Sequence, residues 1–249
     1  MIYTSFAKLY DQLFDEQMYL DWRRFVMQRV SQPHAQVLDL AGGAGRLAVL
    51  LAQGEYQMTV ADLSNEMLSL ADQHAQEARV SIQLAEANML ALDELDRYDA
   101  ITCFADSFCY LANLVEVTQA FTQVRNHLTE TGVFLFDVIT PYQTDIVYPG
   151  YMYNYESEDQ RTAFMWQSFG DPDASHAVVH GLTFFNQLPG QDTYERLTEE
   201  HCERTYELQE YLDALKTAGF DDVRVSAAFG DQEIDSKTTR WFFEVHVMP

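Results

Sequence analysis

The spacing of apolar positions changes twice along this chain, and the changes divide it. From Phe6 to Arg29 hydrophobic residues recur every three or four positions: Phe6, Leu9, Tyr10, Leu13 and Phe14, then Tyr19, Trp22, Phe25 and Val26. That spacing predicts helix, interrupted near Asp15 and closed by Pro33. From Val37 the pattern alternates between short apolar runs and helical repeats. Val37-Leu38-Asp39-Leu40 fits a buried strand, and Gly42-Gly43-Ala44-Gly45 a turn. Leu47, Leu50 and Leu51 then carry a helix that stops at Gly54. The same grammar predicts strands at Tyr56–Asp62, near Val80–Leu84, at Tyr98–Phe104 and at Val133–Val138, with helices at Asn65–Glu77 and Leu114–Leu128 and a turn at Thr131-Gly132. Strands alternating with helices predict an α/β domain built on a parallel sheet.

From about Gln143 to Tyr206 the helical period disappears. Aromatic and β-branched residues alternate in Tyr151–Tyr155, Ala163–Phe169 and Ala177–Leu188. Gly170-Asp171-Pro172-Asp173 and Leu188-Pro189-Gly190-Gln191-Asp192 separate these runs as turns. The expectation is an inserted antiparallel sheet of three to five strands. Helix returns at Glu207–Ala218 and ends at Gly219, followed by strands at Asp222–Ala228 and Arg240–Val247. The predicted division is a helical cap (1–35), a sheet domain (36–142 and 207–249) and an inserted β lobe (143–206).

Charge narrows the partners. Acids outnumber bases 39 to 15 in the 249 residues, a formal charge of −24. No basic stripe exists to neutralise phosphates, so no nucleic-acid partner is expected. Cys103, Cys109 and Cys202 form no C-x-x-C pair and read as reduced thiols, with no metal site expected. No apolar run spans a bilayer and no secretory signal is visible, so the expected setting is cytoplasmic, away from membranes. The aromatic richness of the β lobe makes it the expected surface for a homodimer.

The glycine turn carries the chemistry. Glycines let the backbone bend and approach a ligand closely, and the following helix start offers unpaired N–H groups. Gly43-x-Gly45-x-x-Ala48, with Asp62 about 20 residues on, matches the dinucleotide fingerprint. Asp39, inside the strand and before the turn, points elsewhere. Asp39-Leu40-Ala41-Gly42-Gly43-Ala44-Gly45 resembles the S-adenosylmethionine (AdoMet) signature of class I methyltransferases, an acid followed by a glycine-rich loop. Ala41 stands where that family usually has its first glycine. Leu63–Leu68 after Asp62, and Ala105-Asp106-Ser107-Phe108-Cys109-Tyr110-Leu111 after the fourth strand, resemble the family too.

The resemblance implies a Rossmann-like, mostly parallel seven-stranded sheet with a helical N-terminal cap, AdoMet as cofactor, and methyl transfer to a small molecule through nitrogen or oxygen. It implies a cofactor site at Asp39, Ala41, Gly42, Gly43 and Arg46 on the first turn, with Asp62 on the ribose hydroxyls and Leu63 and Met67 flanking adenine. Asn88 would accept from the adenine amine, with Met89 beside it. Phe104 would line the methionine end, and Tyr10 would fold over the cofactor. On the substrate side it implies Asp106 and Tyr110. From the β lobe, Tyr153, Trp166, His180 and Arg196 are candidates, His180 as a base. Two other readings stay open here: an NAD(P)-dependent oxidoreductase, although the three lysines (Lys8, Lys216, Lys237) form no Tyr-x-x-x-Lys pair, and a non-catalytic AdoMet-binding regulator.

Overall fold

The computed structural model describes residues 16–247. Tyr10 and the Phe6–Asp11 segment lie outside them. A helix, α1 (Glu16–Arg29), precedes β1 (Gln36–Leu40), α2 (Arg46–Ala52), β2 (Gln57–Asp62), α3 (Asn65–Ala78), β3 (Ile82–Glu86), β4 (Tyr98–Cys103), α4 (Leu114–Asn126) and β5 (Leu128–Ile139). The chain then builds β6 (Met152–Glu156), β7 (Thr162–Gly170), β8 (Ala177–Gln187) and β9 (Tyr194–Arg204). It returns through α5 (Leu208–Thr217), β10 (Asp222–Ser226) and β11 (Arg240–His246).

Seven strands form one sheet in the order β10-β11-β5-β4-β1-β2-β3, and β6 to β9 form a second. In the first, β1 to β5 run parallel and β11 is antiparallel to both β5 and β10. The second is antiparallel throughout, with the four strands in chain order. This is the Rossmann-like sheet and inserted antiparallel lobe that the apolar pattern and the resemblance predicted. Central strands are buried on both faces, which is why β1, β4 and β5 read as apolar runs. Phe136 and Phe243, paired across β5 and β11, stack with ring centroids 4.4 Å apart.

β5 takes in both sides of the expected turn at Thr131-Gly132: Leu128 pairs with Tyr98 and Val133 with Ala100, so a five-residue step on β5 matches a two-residue step on β4. The chain folds back between those pairs, and a Cβ on Gly132 would lie 3.1 Å from Leu128 Cβ and 3.2 Å from the Thr129 backbone nitrogen. No helix among the described residues is long and apolar enough to cross a membrane.

Candidate active site

In an open α/β sheet, ligands bind beyond the carboxyl ends of the strands, where the order reverses. Here β1 lies between β2 and β4, and its carboxyl end leads into the glycine turn. Ala41, Gly43 and Gly45 adopt φ of +54°, +54° and +68°, which folds the chain tightly between β1 and α2. Gly45 cannot be larger, since a Cβ there would lie 2.7 Å from the Cβ of Ala71 on α3. Ala41 pays for its methyl group with a left-handed backbone that glycine adopts freely.

Two acids flank the turn. Asp39 is buried on β1 and accepts from the Thr102 hydroxyl at 2.7 Å. Burial pushes its carboxyl up from 3.8 to about 7; the Thr102 bond opposes this and the Asp62 charge adds to it. Asp62 ends β2 and accepts the backbone N–H groups of Gly43 and Ser64, each at 2.9 Å. Burial raises its pKa against those two bonds. Ser64 caps α3 by accepting from the Met67 N–H at 3.2 Å, which sets Met67 in the first turn facing Gly43.

A cavity of about 400 Å³ opens over these groups. Asp39, Ala41, Gly42, Gly43, Asp62, Leu63, Met67, Met89 and Phe104 line it, together with Tyr19 and Trp22 of α1. At the far end it is walled by Tyr110, Glu199 and His201. Trp22 stacks on Phe104 with ring centroids 5.7 Å apart and donates its indole N–H to Asp137 at 2.8 Å.

Other expected site residues lie elsewhere. Arg46 opens α2 and Asn88 follows β3, and neither is on the cavity wall. The Asn88 Oδ1 accepts from the Leu90 N–H at 2.9 Å, so its acceptor already serves a local turn. Ala105 and Asp106 are consecutive left-handed residues, φ +57° and +62°, that bend the chain after β4. Ala105 thereby lines the cavity, whereas the Asp106 carboxylate is taken by Arg240, with Nη2 to Oδ2 at 2.7 Å. Burial pushes Asp106 up to about 7; the Arg240 guanidinium opposes this and Asp137 reinforces it. Turned to Arg240, Asp106 is not among the residues that line the cavity.

His180 is also displaced from its expected place. It is 3 % exposed inside the lobe, where Nδ1 lies 2.7 Å from the Ser168 hydroxyl and 3.1 Å from the Trp166 indole nitrogen. Trp166 is thus a partner of His180, while Tyr153 and Arg196 are exposed strand residues off the cavity wall. Among the residues expected from the substrate side, Tyr110 does line the cavity.

Glu199 and His201 were missed. They are adjacent inward positions of β9, in phase with Leu197 and Glu203, while Arg196, Thr198, Glu200 and Cys202 face solvent. That two-residue alternation was the available signal. Trp22 and Tyr19 were legible only as the apolar face of a helix.

A family model described as "Methyltransferase domain" matches residues 37–132. A protein of Geobacillus sp. (strain WCH70) named as a methyltransferase is 36% identical over 98% of this chain and 98% of its own length. YqeM of Bacillus subtilis (strain 168), likewise named as a methyltransferase, is 33% identical over 98% and 96%. The crystal structure of an S-adenosylmethionine-dependent methyltransferase from Clostridium acetobutylicum ATCC 824 superposes with a TM-score of 0.85, at 27% identity over 99% of each chain.

Fold and glycine turn together define a class I, Rossmann-like AdoMet domain. The chain belongs to the methyltransferase family: it is an S-adenosylmethionine-dependent methyltransferase. These relatives do not favour the nicotinamide reading or the non-catalytic one.

Proposed function

We propose that this enzyme methylates a small molecule held between the glycine turn and the inner face of the inserted sheet. The observation that supports this most is the continuous cavity that runs from Asp62 and Met67 at one end to Tyr110 and His201 at the other. The residues present suit AdoMet. Gly43 leaves a cradle whose nearest side-chain atom, Met67 Sδ, is 4.0 Å from where a Cβ would stand. The Asp62 carboxylate retains lone pairs for the ribose hydroxyls after accepting its two backbone bonds. Leu63, Met67 and Met89 offer an apolar slot for adenine, and Asp39 a carboxyl whose ionised form the cationic end of the ligand would stabilise.

AdoMet bound there supplies a methyl group already activated for in-line displacement. The protein's own work is then to position the acceptor and exclude water. Trp22 and Phe104, 2 % and 6 % exposed, close one wall, and β9 closes the opposite one. With acids in the cavity and a charge of −24, a polyanionic substrate is disfavoured. We read residues 1–35, 36–142 with 207–249, and 143–206 as cap, cofactor domain and lid, working in the cytoplasm, with the lid's aromatic face as a homodimer contact.

Isothermal titration with AdoMet and with S-adenosylhomocysteine tests the cofactor end, with micromolar binding of both expected. A screen of small acceptors for S-adenosylhomocysteine release tests the other end. A folded protein that binds neither nucleoside would overturn the reading.

A further inference from the structure

The acceptor end of the cavity is closed by two side chains of β9 and one from the turn after β4. His201 stands between them. Its Nε2 lies 3.0 Å from Glu199 Oε2, and its Nδ1 lies 3.3 Å from the Tyr110 hydroxyl. A carboxylate accepts only, so Nε2 carries a proton; in the neutral ring Nδ1 is then the acceptor, with the tyrosine hydroxyl donating to it. Glu199 and His201 are 18% and 19% exposed, enclosed enough that charge on a ligand must be matched locally.

The carboxyl groups on the wall are matched by no strongly basic side chain among the described residues. Asp39, Asp62 and Glu199 line the cavity, and among the described residues no lysine or arginine does. Arg240, behind the wall, is committed to Asp106 and Asp137. A carboxylate or phosphate on the acceptor would find no lysine or arginine among the described residues and would face Glu199. An ammonium would find a carboxylate waiting.

We propose that the acceptor is a primary or secondary amine, that Glu199 receives its ammonium form, and that His201 takes the proton that must leave before methylation. This rests on the methyltransferase reading of the cavity given above. An ammonium nitrogen has no lone pair. Its N–H bond breaks, the proton goes to Nδ1 of His201 in place of the tyrosine's hydrogen bond, and the bonding pair stays on nitrogen as the nucleophile's lone pair. The Glu199 carboxylate stabilises the imidazolium so formed, and Tyr110 positions the ring. Among the described residues, the titratable groups around that ring are Glu199 and Glu203 from β9, His180 paired opposite on β8, and Tyr110.

The test uses the protein saturated with S-adenosylhomocysteine and two matched sets of probes: benzylamine with benzyl alcohol and benzoate, and glucosamine with glucose and glucuronate. Calorimetry should show the amine of at least one set binding at least tenfold tighter than its alcohol and its acid. E199Q should lose that tenfold while S-adenosylhomocysteine binds within twofold of wild type. Rates on the best-bound amine supply the second readout. H201Q should lower kcat about a hundredfold at pH 7 with the KM for AdoMet unchanged. Its deficit should shrink toward pH 9.5, where more of the amine arrives neutral. A purely structural defect would keep that deficit constant. No amine preference in either set, unchanged amine binding by E199Q, or a pH-independent deficit in H201Q would each overturn the proposal. A wild-type protein that fails the first step, binding S-adenosylhomocysteine, would overturn the cofactor reading instead, so the two failures are distinguishable.

Discussion

Arg240 grips Asp106 across 134 residues of chain, one guanidinium nitrogen to each carboxylate oxygen. The same Nη1 reaches Asp137 at 2.9 Å, and Asp137 in turn accepts from Trp22 and from the Asp106 N–H at 3.1 Å. This network joins β4, β5, β11 and α1 beneath the cavity. It also holds the two left-handed residues Ala105 and Asp106 in place, a conformation that costs roughly 1–2 kcal/mol per residue when unsupported.

Removing the arginine leaves two buried carboxylates facing each other. R240M should therefore destabilise the protein by about 3–5 kcal/mol, whereas D106N, which keeps one Arg–Asp pair, should cost less. Urea denaturation of both variants checks this; equal losses would mean that the Arg240–Asp106 pair carries the whole effect and the Asp137 contact adds nothing.

Asp39 makes stability depend on pH. Its folded pKa, about 7, lies above the ordinary 3.8, so the folded state holds a proton that the unfolded chain has released between those values. Below about pH 4 both states are protonated and the group is neutral in effect. As pH rises toward 7 the protein loses up to ~4 kcal/mol through this residue. The advantage of D39N over wild type without cofactor should grow from pH 4 to pH 8. A stability difference flat across that range would show that Asp39 ionises normally.

Ala41 occupies a backbone conformation suited to glycine. A41G relieves the left-handed strain but adds entropy to the unfolded chain, and the two partly cancel. A net gain of about 0.5–1 kcal/mol is expected in thermal unfolding, with AdoMet affinity equal to or better than wild type. A loss of stability would mean that the Ala41 methyl contributes packing that outweighs its strain.

Asp62 is expected to bind the ribose. D62A removes an acceptor whose charge-assisted bonds contribute about 1.5–3 kcal/mol, so AdoMet should bind at least tenfold more weakly by calorimetry. D62A also leaves the Gly43 and Ser64 N–H groups without their acceptor. Circular dichroism must therefore show the variant folded before an unchanged dissociation constant removes Asp62 from the site.

The order of strands and helices, the glycine turn and the acids at the ends of β1 and β2 were legible in the chain because each depends on neighbours in sequence. Apolar period reports which face of an element is buried. Turn glycines report a local φ. Ser64 could be read as the cap of α3 because a cap reaches only three residues. The fold-back at Thr131-Gly132 was legible for the same reason, because turn composition is local, whereas the pairing of Leu128 with Tyr98 just before it was not.

Beyond that reach, tertiary structure decided. Asp106 resembled a substrate-side acid, yet an arginine 134 residues later takes both its oxygens. His180 and His201 sit opposite each other in the same inserted sheet, but one is buried against Ser168 and Trp166 and the other opens on the cavity. Both are inward-facing histidines on neighbouring strands, and their sequences do not tell them apart. Which one meets the ligand depends on where the sheet's inner face crosses the carboxyl ends of β1 and β4. That crossing is fixed by packing between segments far apart in the chain, and packing of that kind leaves no periodic trace in either segment.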